Sequence, residues 1–226
     1  MTVPSFGRIA YPCHKETTEG ARMSEIGFTI TPSRELTADE LASLRRHYLT
    51  YARAERDEVR DLHADLDAIY DGIDALVRTG GLARTITTLN QCGKVVVFST
   101  DSSTLSLREF QQAMLAVDKP ITLVAESAPD AGTVADLCSD DVLIVVTTSN
   151  GFARRQREAI EQSKAFKIIV TASKDPDLHA IFDEVLTIGE GSEEGSSLHR
   201  VYATFGVTYF FDRLFSQYAR AYDREG

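Results

Sequence analysis

Two short segments rich in hydroxyl side chains are the part of this chain best suited to bind an anion. The first is Ser99-Thr100-Asp101-Ser102-Ser103-Thr104, and the second is Thr147-Thr148-Ser149-Asn150-Gly151. Hydroxyl groups, together with backbone N–H groups at a helix start, can surround a phosphate without much positive charge. Because Ser and Thr also cap helices for stability alone, one such segment would be weak evidence. Two of them favour a binding site.

Apolar runs and helical patterns alternate between residues 94 and 188, and this alternation predicts the sheet that positions both segments. Strands are predicted at 94–99, 121–125, 142–146, 167–172 and 185–188, with helices between them at 105–117, 131–137, 152–165 and 177–182. Short apolar strands separated by helices indicate a doubly wound parallel sheet with helices on both faces.

Ligands bind such sheets at the carboxyl ends of the strands, near a topological switch point. The two hydroxyl-rich segments follow the first and third predicted strands, so we expect them to line one pocket. The candidate ligand-binding residues are Thr100, Ser102, Ser103, Thr147, Thr148, Ser149, Asn150 and Gly151.

The amino-terminal part of the chain predicts an irregular arm followed by a long helix. Residues 1–36 contain several Pro and Gly and no sustained period. Thr37-Ala38-Asp39-Glu40 is a capping box that starts an amphipathic helix predicted at 37–79, which Gly80-Gly81 ends. We expect this helix to pack on the sheet and on its copy in a second subunit, which predicts a homodimer or higher homo-oligomer. A short helix is predicted at 82–90. A closing helix rich in aromatic residues is predicted at 198–222, and we expect its aromatic side chains to contribute to the core or to a dimer contact.

Composition excludes several classes of function. The net charge of −10 argues against nucleic-acid binding by this chain alone. A Gly-x-Gly-x-x-Gly motif after the first strand and a Gly-Lys-Ser/Thr loop are both missing, so neither dinucleotide nor nucleoside triphosphate is supported and no cofactor is expected. The three Cys are widely spaced and fit no metal-ligand pattern. No apolar run reaches the roughly 18 residues that span a bilayer, and the amino terminus lacks an apolar signal core, so a reducing cytoplasm is the expected location.

Residues 95–110 and 140–182 carry a more specific pattern. Asp141-Val142-Leu143-Ile144-Val145-Val146-Thr147-Thr148-Ser149 has the form Asp, apolar strand, Thr-x-Ser, close to a signature Asp, apolar strand, Ser-x-Ser-Gly, and Ile168-Ile169-Val170-Thr171 precedes Pro176, Leu178, Phe182 and Asp183. This pattern resembles the sugar isomerase (SIS) domain, specifically the sensor half of RpiR-type transcription regulators. The resemblance covers about residues 40–222.

The resemblance implies a three-layer αβα sandwich with a five-stranded parallel sheet that binds a phosphorylated sugar through its first and third loops. Carried over position by position, it implies Thr100, Ser102 and Ser103 in the first loop, and Thr147 and Ser149 in the second. Three positions depart from the family pattern. Asn150 replaces a Gly, Phe152 or Ala153 replaces a Thr, and Asp101 replaces a Gly.

Three functions remain open on the sequence alone. The first is a non-catalytic sugar-phosphate sensor, which would contact DNA only through a helix-turn-helix that is not evident in this chain, since residues 1–36 are too short and too broken by Pro to form one. The second is a small phosphosugar isomerase, for which the candidate bases are Glu126, Glu193, Glu194 and His199. The third is a helix-mediated interaction protein with a vestigial pocket.

In either of the first two functions, Arg154, Arg155 or Arg157 could add positive charge near a bound phosphate.

Overall fold

A computed structural model describes residues 37–57, 59–189 and 198–223 of the chain. The irregular arm predicted at 1–36 lies outside the described residues, as do Glu193 and Glu194.

A five-stranded parallel sheet forms the centre of the fold. Its strands are β1 (Val95–Ser99), β2 (Ile121–Ala125), β3 (Val142–Thr147), β4 (Phe166–Thr171) and β5 (Glu184–Thr187). Their order is β2-β1-β3-β4-β5, and all four pairings are parallel. Every residue of β1 and β3 is buried, because helices cover both faces of the central strands. The predicted fold class is confirmed.

Helices of very different length surround the sheet. They are α1 (Ala38–Arg56), α2 (Leu62–Arg78), α3 (Ala83–Gln91), α4 (Asp101–Ser106), α5 (Arg108–Ala116), α6 (Gly151–Arg155), α7 (Arg157–Gln162), α8 (His199–Val201) and α9 (Val207–Tyr222). A π-helical turn at Tyr202–Gly206 joins α8 to α9, and 3₁₀ turns occupy Ala131–Asp136 and Pro176–Ala180. None of the helices within the described ranges is long and apolar enough to cross a membrane.

The single helix predicted at 37–79 is wrong, because the structure has two helices there, α1 and α2. Asp61 has extended backbone angles and caps α2, accepting a hydrogen bond from the His63 backbone N–H at 2.9 Å. Asp is favoured at N-cap positions and disfavoured in the interior of a helix, which explains the break. Tyr51 of α1 then donates a hydrogen bond to Asp65 of α2 at 2.7 Å. Val59, an apolar residue within the helix predicted at 37–79, lies in the break and is 73% exposed.

The core consists of two apolar layers, one on each face of the sheet. Alternate residues of β1 supply both layers, since Val95 and Val97 point to one face and Val96 and Phe98 to the other. Helices α2, α3, α5 and α9 cover the first face, and α6, α7 and the 3₁₀ turns cover the second. The aromatic closing helix contributes Phe210 and Phe211 to the first layer, where both are essentially unexposed.

Candidate functional site

The two hydroxyl-rich loops meet at the topological switch point of the sheet. After β1 the chain continues to β2 on one side, and it later returns to β3 on the other side of β1. Ser99 at the end of β1 pairs in register with Val146 near the end of β3, so the loops that follow the two strands begin side by side. A crevice at this position is where open α/β sheets bind ligands. We call the region between residues 100–104 and 147–151 the switch-point crevice.

Hydrogen bonds among its own hydroxyl groups hold the first loop in shape. Thr100 is the N-cap of α4, and its hydroxyl donates to Ser103 Oγ at 3.1 Å. Thr104 donates its hydroxyl to the Thr100 carbonyl at 3.0 Å, and its Oγ1 lies 2.8 Å from Ser99 Oγ. Thr100 and Ser103 are buried. The side chain of Ser102, the remaining predicted residue of this loop, lies outside the description.

Asn150 shapes the second loop. Its φ of 67° lies in the left-handed region, which Gly adopts freely and which Asn tolerates better than most residues. The Asn150 backbone N–H donates to Thr147 Oγ1 at 3.1 Å, and the Thr171 hydroxyl of β4 donates to Asn150 Oδ1 at 2.7 Å. Asn150 can therefore replace the family's Gly because it keeps that backbone conformation and adds a bond to the neighbouring strand.

The candidate residues of the second loop differ in their access to solvent. Thr147, Thr148, Asn150 and Gly151 are buried, and Ser149 is half-buried. The amide nitrogen Nδ2 of Asn150 has no hydrogen-bond partner of normal geometry among the described residues. Of the predicted hydroxyl groups in this loop, that of Ser149 is thus the most accessible to a ligand.

Asp101 is held by a residue that follows β2. Its Oδ1 accepts a hydrogen bond from Ser127, which follows β2, and its Oδ2 is buried without a partner among the described residues. The sequence could not reveal this contact, because the two residues are separated by 26 positions. The carboxylate is held on the β2 side of the loop, so its repulsion toward an anion nearer β3 is reduced.

Glu126 and Arg155 form an ion pair at the edge of the switch-point crevice. Arg155 Nε and its terminal nitrogen lie 3.0 Å from Glu126 Oε1 and Oε2, and the Gln156 side chain donates to Oε1 at 3.1 Å. The Glu126 side chain is only 11% exposed and that of Arg155 is 33% exposed. A carboxylate occupied by three such donors is a poor general base, which weakens one of the catalytic assignments open on the sequence.

The other two arginines near the crevice are also paired. Arg154 donates to Asp175 at 2.7 Å, and Arg157 donates to Glu161 at 2.7 Å. The pKa of Asp175 is lowered, first by the hydrogen bond from Arg154 and then by the Asp177 backbone N–H, with a smaller contribution from the nearby Asn150 amide. All three candidate arginines are therefore paired, and Arg155 is the one whose pair joins the segments that follow β2 and β3.

Phe152 and Ala153, the two residues of which one stands where the resembled pattern has Thr, are both buried. Phe152 is 2% exposed, and its ring packs edge-on against Phe98 of β1 with centroids 4.9 Å apart. At either position the chain therefore has an apolar contact that packs α6 on the sheet. Within the described residues, no group of His, Cys, Asp and Glu side chains could hold a metal ion.

Together the switch-point crevice and the sheet order define a class of protein, an α/β sandwich with a ligand crevice lined by hydroxyl groups. Protein-family models and curated proteins gave no match to the chain. The comparison with solved structures did give matches. An E. coli CFT073 protein in complex with a phosphosugar superposes with a TM-score of 0.57 and 19% identity, covering 84% of this chain and 96% of that one.

Two further solved structures show the same architecture. The Vibrio vulnificus NanR protein complexed with ManNAc-6P has a TM-score of 0.56 at 13% identity, over 76% of this chain and 67% of that one. A Methanococcus jannaschii protein, whose structure was used to infer a 3-hexulose-6-phosphate isomerase function, has a TM-score of 0.52 at 14% identity, over 71% and 92%. The chain has the fold of the sugar isomerase domain, as the resemblance implied.

Proposed function

We propose that this chain binds a phosphorylated sugar, or a related carbohydrate derivative, in the switch-point crevice. The observation that carries the proposal is the side-by-side position of two hydroxyl-rich loops at the end of β1 and β3. Two proteins that share the fold contain a phosphosugar in their structures, which in NanR is ManNAc-6P. Both the place in the sheet and the chemistry of the loops suit a polar, anionic ligand.

Each candidate residue has a proposed role in this crevice. Ser102 and Ser149 would donate hydroxyl hydrogen bonds to the ligand, and the first-turn backbone N–H groups of α6, beginning at Gly151, would donate to its phosphate. The buried Thr100, Ser103, Thr147, Thr148 and Asn150 would mainly fix the shape of the two loops. Arg155 would add positive charge at the rim, reduced by its pairing with Glu126.

The role we favour is that of a non-catalytic effector-sensing domain of an RpiR-type transcription regulator in the cytoplasm. The pairing of Glu126 with Arg155 supports a binding role, because it occupies the candidate base that follows β2 at the edge of the crevice. A homodimer is part of the proposal. Leu41, Tyr48 and Leu49 of α1 are between 38% and 50% exposed, a suitable apolar surface for a second copy. Contact with DNA would require a helix-turn-helix outside the described residues.

Isothermal titration calorimetry against hexose and amino-sugar phosphates tests the binding proposal. We expect Ser102→Ala and Ser149→Ala each to weaken the best ligand about tenfold, since each removes a donor to a charged group. Ser139→Ala is the matched control, because Ser139 is exposed and precedes β3, at the opposite edge of the sheet. Binding that neither crevice substitution changes would place the ligand elsewhere.

A phosphosugar isomerase is the second candidate, favoured by the fold shared with a protein whose inferred function is that of a 3-hexulose-6-phosphate isomerase. Incubating the protein with hexose 6-phosphates in deuterated water separates the two functions. An isomerase exchanges the proton at C2 through a general base, whereas a sensor binds the sugar and leaves it unlabelled. Exchange catalysed by the wild-type chain would overturn the proposed sensor role, but it would leave intact the proposal that the sugar binds in the crevice.

A further inference from the structure

A cavity lies toward the carboxyl end of α4, whereas the switch-point crevice lies at the amino end of this helix. It has a volume of about 560 Å³ and opens between α5 and α9, with Tyr70 of α2 and the π-helical turn completing its walls. Ser106, the last residue of α4, lines it, whereas Thr100 at the other end of α4 belongs to the crevice. A six-residue helix is about 9 Å long, so the cavity is a separate site.

Half of the residues that line the cavity are aromatic, and several of these rings pack against one another. The rings of Tyr70 and Tyr209 pack with centroids 4.3 Å apart, and those of Phe110 and Phe211 are 4.7 Å apart. Tyr209 donates its hydroxyl to Asp74 at 3.1 Å, and Asp74 is held in turn by Arg213 at 2.8 Å. A preformed aromatic wall of this kind is typical of small-molecule sites, since little ordering is needed on binding.

The π-helical turn helps to create the cavity. It includes Thr204 and Phe205, both of which line the wall, and it directly precedes the α9 residues that also line it. Such turns are rare and occur often at functional sites, because they displace the side chains of one helical turn relative to the next. Phe205, Tyr209 and Phe215 are half-buried where they line the cavity, so part of each side chain is still exposed to solvent.

Two carboxylates give the cavity its charge preference. Glu109 of α5 and Asp212 of α9 are exposed at its edge, and neither makes a hydrogen bond or an ion pair with any residue in the described ranges. Their charges are thus available to a ligand. An anion such as a sugar phosphate would be repelled here, whereas a cation is attracted both by the carboxylates and by the faces of the aromatic rings.

We propose that this cavity binds a small organic cation, a protonated amine with an aromatic or branched apolar body. The volume lies within the range of ordinary ligand pockets. The ring system would take the apolar body, and Glu109 and Asp212 would face the ammonium group. A second copy of the chain is a less suitable occupant, because a two-fold contact here would bring the same carboxylates together from both subunits.

Tryptamine is a suitable probe, and indolepropionate, which carries the same ring with the opposite charge, is its control. The protein contains no Trp, so the indole fluorescence comes from the probe alone. We expect tryptamine to bind at low ionic strength at least about tenfold more tightly than indolepropionate. Its ammonium group would be attracted by both carboxylates and by the face of an aromatic ring, and these favourable interactions add. Equal affinity for the two probes would overturn the proposal.

Two variants localise the binding to the cavity. Glu109→Gln combined with Asp212→Asn should weaken tryptamine about fivefold, whereas Asp130→Asn combined with Asp136→Asn, which makes the same charge change beyond the other face of the sheet, should not. Ala113→Phe should block the cavity, with thermal unfolding confirming that the variant is folded.

A folded Ala113→Phe protein that binds tryptamine as well as wild type would contradict the assignment. So would sedimentation showing that wild type is a dimer and that Ala113→Phe is a monomer, because the cavity would then be a subunit interface. Both results are independent of sugar-phosphate binding at the crevice.

Discussion

Arg155 reaches across the end of β1 to form a two-point ion pair with Glu126. Glu126 directly follows β2, and its backbone N–H donates to the Ser99 carbonyl at 2.9 Å, whereas Arg155 ends the short helix after β3. The pair therefore links the segment after β2 to the segment after β3, on either side of β1. This link holds one side of the switch-point crevice.

Breaking this link should lower the stability of the protein. Glu126→Gln removes the negative charge of the carboxylate whose two oxygens each lie 3.0 Å from a nitrogen of Arg155. We expect the free energy of unfolding, measured in urea, to fall by about 1–2 kcal/mol. Arg155→Lys should have a similar effect, since an ammonium group cannot reproduce the two parallel bonds.

The pair Arg157–Glu161 is the matched control for this prediction. Its side chains are 58% and 47% exposed, so Arg157→Gln should cost no more than about 0.5 kcal/mol. Equal losses for the exposed and the half-buried pair would show that Glu126–Arg155 is an ordinary surface contact without a structural role at the crevice.

Asn150 gives a prediction about backbone conformation. Asn150→Ala should destabilise the protein by about 2–3 kcal/mol, because Ala must adopt a φ of 67° and also loses the hydrogen bond from Thr171. Asn150→Gly loses only the hydrogen bond and should cost about 1 kcal/mol. Urea unfolding measures both.

Asp118 provides the comparison for the Asn150 variants. It also has a positive φ, of 55°, but it is exposed. Asp118→Gly should therefore be at least as stable as wild type, and Asp118→Ala less stable. Finding Asn150→Ala more stable than Asn150→Gly would mean that the left-handed backbone is not what selects the residue.

The sequence predicted the sheet and the place of the crevice well, because both depend on local patterns. Strands buried on two faces appear as unbroken apolar runs, so 142–146 was predicted within one residue of β3. The break between α1 and α2 was missed because the apolar period continues across it. The partners of Glu126, Asp101 and Asn150 could not be predicted, since each bond joins residues more than 20 positions apart.

Phe152 gives a prediction about core packing. Phe152→Thr should destabilise the protein by about 3–4 kcal/mol, because it removes a buried ring that packs on Phe98. Phe152→Leu keeps most of the apolar volume and should cost about 1–1.5 kcal/mol. Equal stability of the Thr variant and wild type, measured by urea unfolding, would show that the ring contributes little to the core.

Glu184 gives a prediction about pH. Burial raises the pKa of this carboxyl, opposed by the nearby Thr85 hydroxyl and by the charge of Arg84. Neither Glu184 Oε2 nor Thr85 Oγ1 has a hydrogen-bond partner of normal geometry among the described residues. The folded state thus holds its proton more tightly than the unfolded chain, whose carboxyl titrates near 4.5. The destabilising contribution of Glu184 should therefore be absent below that pH and should appear as the pH rises through the folded-state pKa.

Glu184→Gln should remove this penalty. We expect the variant to be more stable than wild type at pH 7, and the difference between the two to shrink as the pH is lowered toward 4, as followed by urea unfolding over that range. Asp71→Asn is the control, because Asp71 is exposed on α2 and should show no such trend. A Gln variant that is less stable than wild type at pH 7 would mean that the Glu184 carboxylate is stabilised by its neighbours more than burial disfavours it.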